Sequence, residues 1–421
     1  MKNKWKTNEL LEGLIWNYGS LAILSVSGFL FNCLIVHFYN AEALGIFNRT
    51  YAWYCVLSQV TVWGVHMSVL KMIPEYQENA PERERIFFSA LLVVFVFSIV
   101  CVVLIEAVLP YIVRDKRNLL TSLQLVMPGL VFFSLNKVIL NYLNGLSEMK
   151  AYAFFQSLRY VIIVAVIFIL GKLRYDSAWL SICFAGSEIV VFGSSVGYLA
   201  ANQILGRKIS IQYIKEHIRF GTRILPANMV ETLNAKVDII CLGFILNNDY
   251  LIGIYSFAVI FVEGFYQLYI IVRRSINPKI TECYVGNDFH RDIGKINASL
   301  KKYLKLFSPM ALVLLVIGYC SVCHILNQED YIAGVKFLIL ICVTIAVNGR
   351  KIIYGNIFSQ TGLPIYESVV NMITVSANFC LNLLLIYFWG LWGAAIATAV
   401  SHMIYGSVLQ YYARKRLDLK I

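Results

Sequence analysis

Long apolar runs separated by short polar clusters make up most of this chain. A helix needs about 20 predominantly apolar residues to cross the hydrocarbon of a bilayer. Reading for such runs predicts twelve helices. They lie near 13–38, 44–70, 87–113, 119–143, 151–170, 177–202, 223–246, 250–275, 303–323, 333–359, 365–388 and 390–412. No small-residue cleavage site of the A-x-A type follows the first run, so it reads as a retained helix and not a signal peptide. The pattern predicts an all-α, polytopic membrane protein.

Several runs carry polar residues at helical spacing. Span seven has Asn228, Glu231, Asn234 and Asp238 along one side, with Lys236 off that stripe. Span eight has Glu263 and Gln267. Span ten has Thr344, Asn348 and Lys351, span eleven has Asn371, Thr374, Asn378 and Asn382, and span twelve has Thr398 and Ser401. Such stripes cannot all face lipid. For Asn and Thr the expectation is hydrogen bonding between helices. Small-residue stretches, Gly393–Ala399 and the Gly193/Gly197 pair, read as close-packing surfaces. An ionised side chain at the bilayer centre costs about 2.5–3.5 kcal/mol even on the lenient scale. Lys236, Asp238, Glu263, Arg350 and Lys351 read as deep, where lining a water-filled cavity is the preferred reading and buried ion pairs the alternative. Arg49, Lys137, Arg159 and Lys336 sit nearer span ends and read as snorkelling to the interface.

Composition agrees with a membrane location. Hydrophobic residues are 59% of the chain and charged residues 14%, against about 45–50% and 25% in soluble domains. The same numbers exclude a disordered chain. The net charge is +12, from 36 basic and 24 acidic residues. In a soluble protein that excess would suggest nucleic acid, but its distribution here follows the spans. With the N-terminus cytoplasmic, 24 basic residues fall on inside segments, among them Lys2, Lys4, Lys6, Arg207, Lys215 and Lys295. Five fall outside: Arg114, Lys116, Arg117, Lys172 and Arg174. The positive-inside rule then predicts cytoplasmic termini, and no nucleic-acid partner is needed. The ten cysteines lie mostly in apolar runs. Cys320-Ser-Val-Cys323-His324 has the spacing of c-type haem attachment, but cysteine as a small apolar helix residue is the preferred reading.

The expected organisation is a six-helix bundle over 1–202, a cytoplasmic linker over 203–222 and a second bundle over 223–421. Ile209, Ile211, Ile214 and Ile218 alternate with Lys208, Lys215 and Arg219 in the linker, which suits either an amphipathic surface helix or an ordinary connection. Asn40 followed by Leu44-Gly45-Ile46-Phe47 is echoed by Asn248 followed by Ile252-Gly253-Ile254-Tyr255. An even number of spans per half makes this a parallel repeat, as in transporters that bind substrate between two halves.

Four stretches carry a family resemblance: YNAEALGIFNRTYAWYCVLSQVTVWGVHMSVLKMIPEY (39–76), KVDIICLGFILNNDYLIGIYSFAVIF (236–261), NFCLNLLLIYF (378–388) and FWGLWGAAIATAVSHMIYG (388–406). Their order and spacing resemble polysaccharide-biosynthesis flippases of the multidrug/oligosaccharidyl-lipid/polysaccharide exporter superfamily. The resemblance implies a MATE-like fold in a bacterial inner membrane and export of polyprenyl-diphosphate-linked oligosaccharide units for O-antigen or capsule. It also implies that helices one, two, seven and eight line the cavity, which favours Arg49 and Asp238. Arg49, Lys351, Arg350 and Lys236 are then candidates for a cationic surface facing the diphosphate. Asp238 and Glu263 are candidates for coupling to H+ or Na+, and Asn228, Glu231, Asn234, Gln267 and Asn348 for polar lining. A multidrug or cation antiporter of the same superfamily, and a membrane-embedded glycan polymerase or ligase, are the alternatives. No P-loop, nucleophile elbow, paired carboxylates or metal-ligand cluster stands out. No enzyme activity, cofactor or metal is expected; other glycan-assembly proteins are open as partners.

Overall fold

In a computed structural model, residues 7–76, 79–113, 116–202, 208–286 and 288–420 are described. Lys2, Lys4, Lys6, Arg114, Arg207 and the 203–207 part of the linker lie outside them. Among the described residues fourteen α-helices follow one another: α1 (Thr7–Phe38), α2 (Ala41–Val62), α3 (Val65–Met72), α4 (Ala80–Ile112), α5 (Arg117–Gly145), α6 (Met149–Lys172) and α7 (Ile182–Ala201). Then come α8 (Ile211–Ile245), α9 (Asp249–Val285), α10 (Phe289–Ile325), α11 (Val335–Ile353), α12 (Ile357–Gln360), α13 (Pro364–Trp389) and α14 (Leu391–Leu417). Short 3-10 turns cover Ile73–Tyr76, Ser177–Ser181 and Glu329–Gly334, and no strand occurs among the described residues.

Ten of these segments are long and apolar enough to cross a membrane, or eleven if the bent α2/α3 pair is one span. The twelfth expected span is part of α8, whose charged and amide residues keep it out of that set. Exposed apolar side chains such as Val100, Val103 and Leu104 on α4 and Val313, Leu314 and Ile317 on α10 suit a lipid solvent.

The chain forms two compact units, Met1–Leu233 and Asn234–Ile421, so the boundary falls inside α8. In the first unit α5 packs against α2, α3, α4 and α7, and α1 packs along α6. Its core includes Val65, Val69, Phe87, Val94, Val138, Ile139 and Tyr142. In the second, α9 packs on α10 and α11, and α14 on α11 and α13. The two helices that carry the repeated motif start in the same way. Asn40 accepts a hydrogen bond from the Ala43 amide at 2.9 Å, and Asn248 from the Leu251 amide at 3.2 Å. Each satisfies one of the free N–H groups at a helix start.

Four expectations about elements are corrected. Span two is not one straight helix: Trp63 (φ 50°) and Gly64 (φ 69°) are left-handed and bend α2 from α3 by 58°. Span ten is not one continuous helix: it breaks at Tyr354–Asn356 and resumes as α12, within an apolar segment that runs to Gln360. The helices of spans seven, eight and nine, α8, α9 and α10, extend past their apolar runs, so Lys215, Arg219, Lys279, Arg291, Lys295 and Lys301 are helical and not in loops. Charged and amphipathic sequence continues a helix beyond the membrane without raising hydropathy. Finally, a Cβ on Gly193 or Gly197 would meet open space, because both are exposed on α7. The Gly393 expectation holds: a Cβ there would lie 2.0 Å from the Leu385 carbonyl oxygen, and Ala394, Ala395 and Ala397 are fully buried.

Candidate functional site

In the second unit α8 and α9 place Lys236 Nζ 3.6 Å from Glu263 Oε1, with side chains 17% and 56% exposed. Two residues that the sequence reading kept separate, a substrate cation and a coupling acid, are therefore partly neutralising one another. Lys236 is off the polar stripe of its own helix because it faces α9. Asp238 is buried; the Tyr255 hydroxyl donates to its Oδ2 at 3.0 Å and the Ile239 amide to its Oδ1 at 2.9 Å. Glu231, Asn234 and Gln267 are exposed and Asn228 is half-buried.

Arg350 and Lys351 lie in the last turn of α11, because that helix ends earlier than its apolar run suggested. There they complement the negative end of the helix dipole. Lys351 Nζ sits 3.4 Å from Asn348 Oδ1, and the Asn348 side-chain amide donates to the Thr344 carbonyl at 3.1 Å. A Cβ at Gly406 of α14 would lie 2.2 Å from Asn348 Oδ1 and 2.8 Å from Lys351 Cδ, so glycine is what admits both side chains. The amides of α13 tie helices together, as expected for such stripes. Asn382 Nδ2 and Ser401 Oγ both donate to Asn378 Oδ1, at 2.9 and 3.0 Å. Lys336 lies 5.6 Å from the Phe337 ring and 5.5 Å from the Trp392 ring, consistent with a stem buried near its helix start.

In the first unit Arg49 is buried on α2, at 8% exposure. The main surprise is Glu188 on α7, which the sequence reading passed over. Arg159 Nε lies 2.6 Å from Glu188 Oε1, and Arg159 Nη2 donates to Oε2 at 3.2 Å. Asn136 Nδ2 donates to the same Oε2 at 2.7 Å and to the Glu188 carbonyl at 2.9 Å. Lys137 Nζ and the Arg159 guanidinium lie 4.9 and 5.0 Å from the Phe133 ring centroid. Neither Arg159 nor Lys137 behaves as an interfacial residue: Arg159 is near the middle of α6 and held by a buried carboxylate. The signal was available, since Glu188 stands alone in the apolar stretch 182–193 and an intramembrane acid needs a partner.

The fold built by these helices is similar to that of solved multi-pass membrane proteins. It is similar to lipid II flippase MurJ in an inward closed conformation (TM-score 0.76, 17% identity, 96% of this chain and 87% of that one). It is also similar to a MATE family multidrug resistance transporter of the MOP superfamily, inward-facing (TM-score 0.67, 12% identity, 94% of each chain). A third likeness is to the MATE multidrug transporter DinF-BH (TM-score 0.65, 15% identity, 99% of this chain and 98% of that one). No curated protein sequence matches the chain. Residues 10–282 match the family model of polysaccharide biosynthesis proteins, and the chain belongs to that family.

Proposed function

We propose that this protein flips polyprenyl-diphosphate-linked oligosaccharide units from the cytoplasmic to the outer leaflet of a bacterial inner membrane, by alternating access coupled to H+ or Na+. The observation that carries the reading is the family match across residues 10–282. The fold likeness to a flippase that is named for a lipid-linked substrate supports it. The basic bias of the inside segments supports cytoplasmic termini.

The diphosphate is the charged part of such a substrate, and Arg49, Lys351, Arg350 and Lys236 are the proposed cations for it. Arg49 has the strongest case, since a buried guanidinium is retained at a cost. Lys236 has the weakest, since Glu263 already faces it. For the same reason Asp238 is the better coupling acid: its carboxylate is buried and bonded to a hydroxyl and an amide rather than to a cation. Protonation or ion binding there would change the charge that α8 carries. The polar residues Asn228, Glu231, Asn234, Gln267 and Asn348 complete the proposed lining.

The test is surface glycan measured in cells lacking the native gene and complemented with variants of checked membrane abundance. Arg49→Ala/Lys351→Ala should lose glycan at normal abundance; normal glycan in that double variant would sink the cationic-surface reading. Arg49→Lys active with Arg49→Gln inactive would show that charge is what matters. A multidrug antiporter would instead confer resistance to organic cations and leave surface glycan unchanged on deletion.

A further inference from the structure

The first unit contains a cavity of about 140 Å³ lined by Phe31, Tyr51, Tyr54, Phe133, Arg159 and Glu188, among others. Its walls come from α1, α2, α5, α6 and α7. We infer that it is a subsite for one pyranose ring of the transported glycan, held by aromatic faces and by the Glu188–Arg159 pair. The inference rests on the flippase reading above and names the part of the substrate that this unit grips.

Size narrows the occupant first. Pockets for drug-sized ligands run to roughly 300–1,000 Å³. At about 140 Å³ this one is well below that range, so it suits one ring of a glycan and not an oligosaccharide or a lipid chain.

Chemistry narrows it further. Phe184 is stacked by Phe47 at 5.1 Å, by Tyr51 at 5.3 Å and by Tyr54 at 5.2 Å, which holds the Tyr51 and Tyr54 rings at the cavity wall. A pyranose has an apolar C–H face that lies flat on such rings and a hydroxyl rim that needs donors and acceptors together. The rim partners are present. Glu188 supplies acceptors and Arg159 donors. The Tyr54 hydroxyl is buried, at 4% residue exposure, with no hydrogen-bond partner among the described residues. A buried hydroxyl without a partner is rare in folded proteins and points to a water or ligand atom as its missing partner.

Other occupants fit less well. An organic cation would welcome the rings, but Arg159 already neutralises Glu188 at 2.6 Å and Lys137 lies over the neighbouring Phe133. An isoprenoid chain would leave the ion pair and the Tyr54 hydroxyl unmatched. A diphosphate would have to compete with Glu188 for Arg159.

The experiment uses the full chain purified into lipid nanodiscs. The probes are methyl glucopyranoside, mannopyranoside, rhamnopyranoside and glucuronide, followed by saturation-transfer NMR, with tetraphenylphosphonium as the cationic comparison. At least one pyranoside should receive saturation from the wild-type protein. Tyr54→Phe removes one hydroxyl and keeps the ring, and should weaken that binding about three- to tenfold. Ile163→Phe, which fills the cavity from α6, should abolish it. Either of two results overturns the inference: no pyranoside bound by wild type, or binding unchanged in both variants. Tetraphenylphosphonium bound more tightly than every sugar and displaced by Ile163→Phe would also overturn it, in favour of a cation site. Surface glycan separates this from the flippase reading. If Ile163→Phe complements a deletion strain as well as wild type does, the subsite falls and the flippase stands. If wild type itself does not complement, the flippase reading falls and with it the glycan assignment of the cavity.

Discussion

Glu188, Arg159 and Asn136 make a buried polar group across three helices of the first unit, in which one carboxylate accepts from two side chains. Removing one partner of such a pair leaves the other charge buried and unmatched, at a cost of about 3–5 kcal/mol. Glu188→Gln should therefore lower the thermal midpoint of the purified protein by several degrees. Glu188→Leu combined with Arg159→Met should recover most of that loss, because it removes both charges together. Equal destabilisation in the single and double variants would show that packing, not charge, dominates there. His217 is a second residue with a definite sign. It lies in α8 ahead of the apolar run, fully buried. Its Nε2–H donates to the Ile86 carbonyl at 3.0 Å and its Nδ1 faces the Ser68 hydroxyl. Burial pushes its pKa below the ordinary imidazole value, with the Ile86 contact opposing. The unfolded chain then binds the proton first, so stability is full above about pH 6.5 and falls as the pH drops below it. His217→Gln should be less stable at pH 8 yet flatter between pH 7 and 5, read by thermal unfolding.

At the scale of elements, the break between α2 and α3 is locked by α8. The Trp63 indole N–H donates to Thr222 Oγ1 at 2.9 Å. A Cβ on Gly221 would lie 2.1 Å from the Trp63 carbonyl oxygen, and one on Gly64 would lie 2.6 Å from Ile224 Cγ2. Gly64 also needs its positive φ, which costs an L side chain about 1–2 kcal/mol. Both changes meet backbone oxygens, but Gly221→Ala should be the more damaging, because its Cβ would lie 2.1 Å from the Trp63 oxygen against 2.9 Å from the Gly221 oxygen for Gly64→Ala. The check is the thermal midpoint of Gly64→Ala and Gly221→Ala beside Gly19→Ala, whose Cβ would meet nothing. If Gly221→Ala melts with the wild type, the helices are not held at this crossing. The break itself was invisible to window hydropathy, because Trp63 and Gly64 sit in a run that is apolar on both sides.

For the whole molecule, the testable property is orientation in the membrane. Lys295 lies on the polar start of α10, where its side chain is 65% exposed and bonded to Asp292 at 2.8 Å. Lys215 lies on the polar start of α8. With cytoplasmic termini, Lys215→Cys and Lys295→Cys should resist an impermeant maleimide in intact cells and react after permeabilisation, on a background with accessible native cysteines removed. Ready labelling in intact cells would reverse the orientation. The extension of these helices past the apolar runs does not weaken the charge argument, since what counts is basic residues near the membrane ends, helical or not.

The all-helical membrane class, the approximate helix boundaries and the family were legible along the chain. Apolar run length is a local property that the bilayer reads directly, and the motifs around Asn40 and Asn248 begin helices by local capping. The close approach at Gly393 was legible for the same reason, being a stretch of small residues on one helix. Which charged residue pairs with which across helices was not legible. Lys236 was expected on a substrate surface and is placed beside Glu263, while Arg159 was expected at the interface and is held by Glu188. Arg350 and Lys351 moved to a helix end once α11 stopped at Ile353. An ion pair across two helices depends on crossing angle, rotation and register, and none of these leaves a periodic trace in either helix alone. Tertiary packing therefore decided which charges neutralise one another and where the aromatic cavity opens among them.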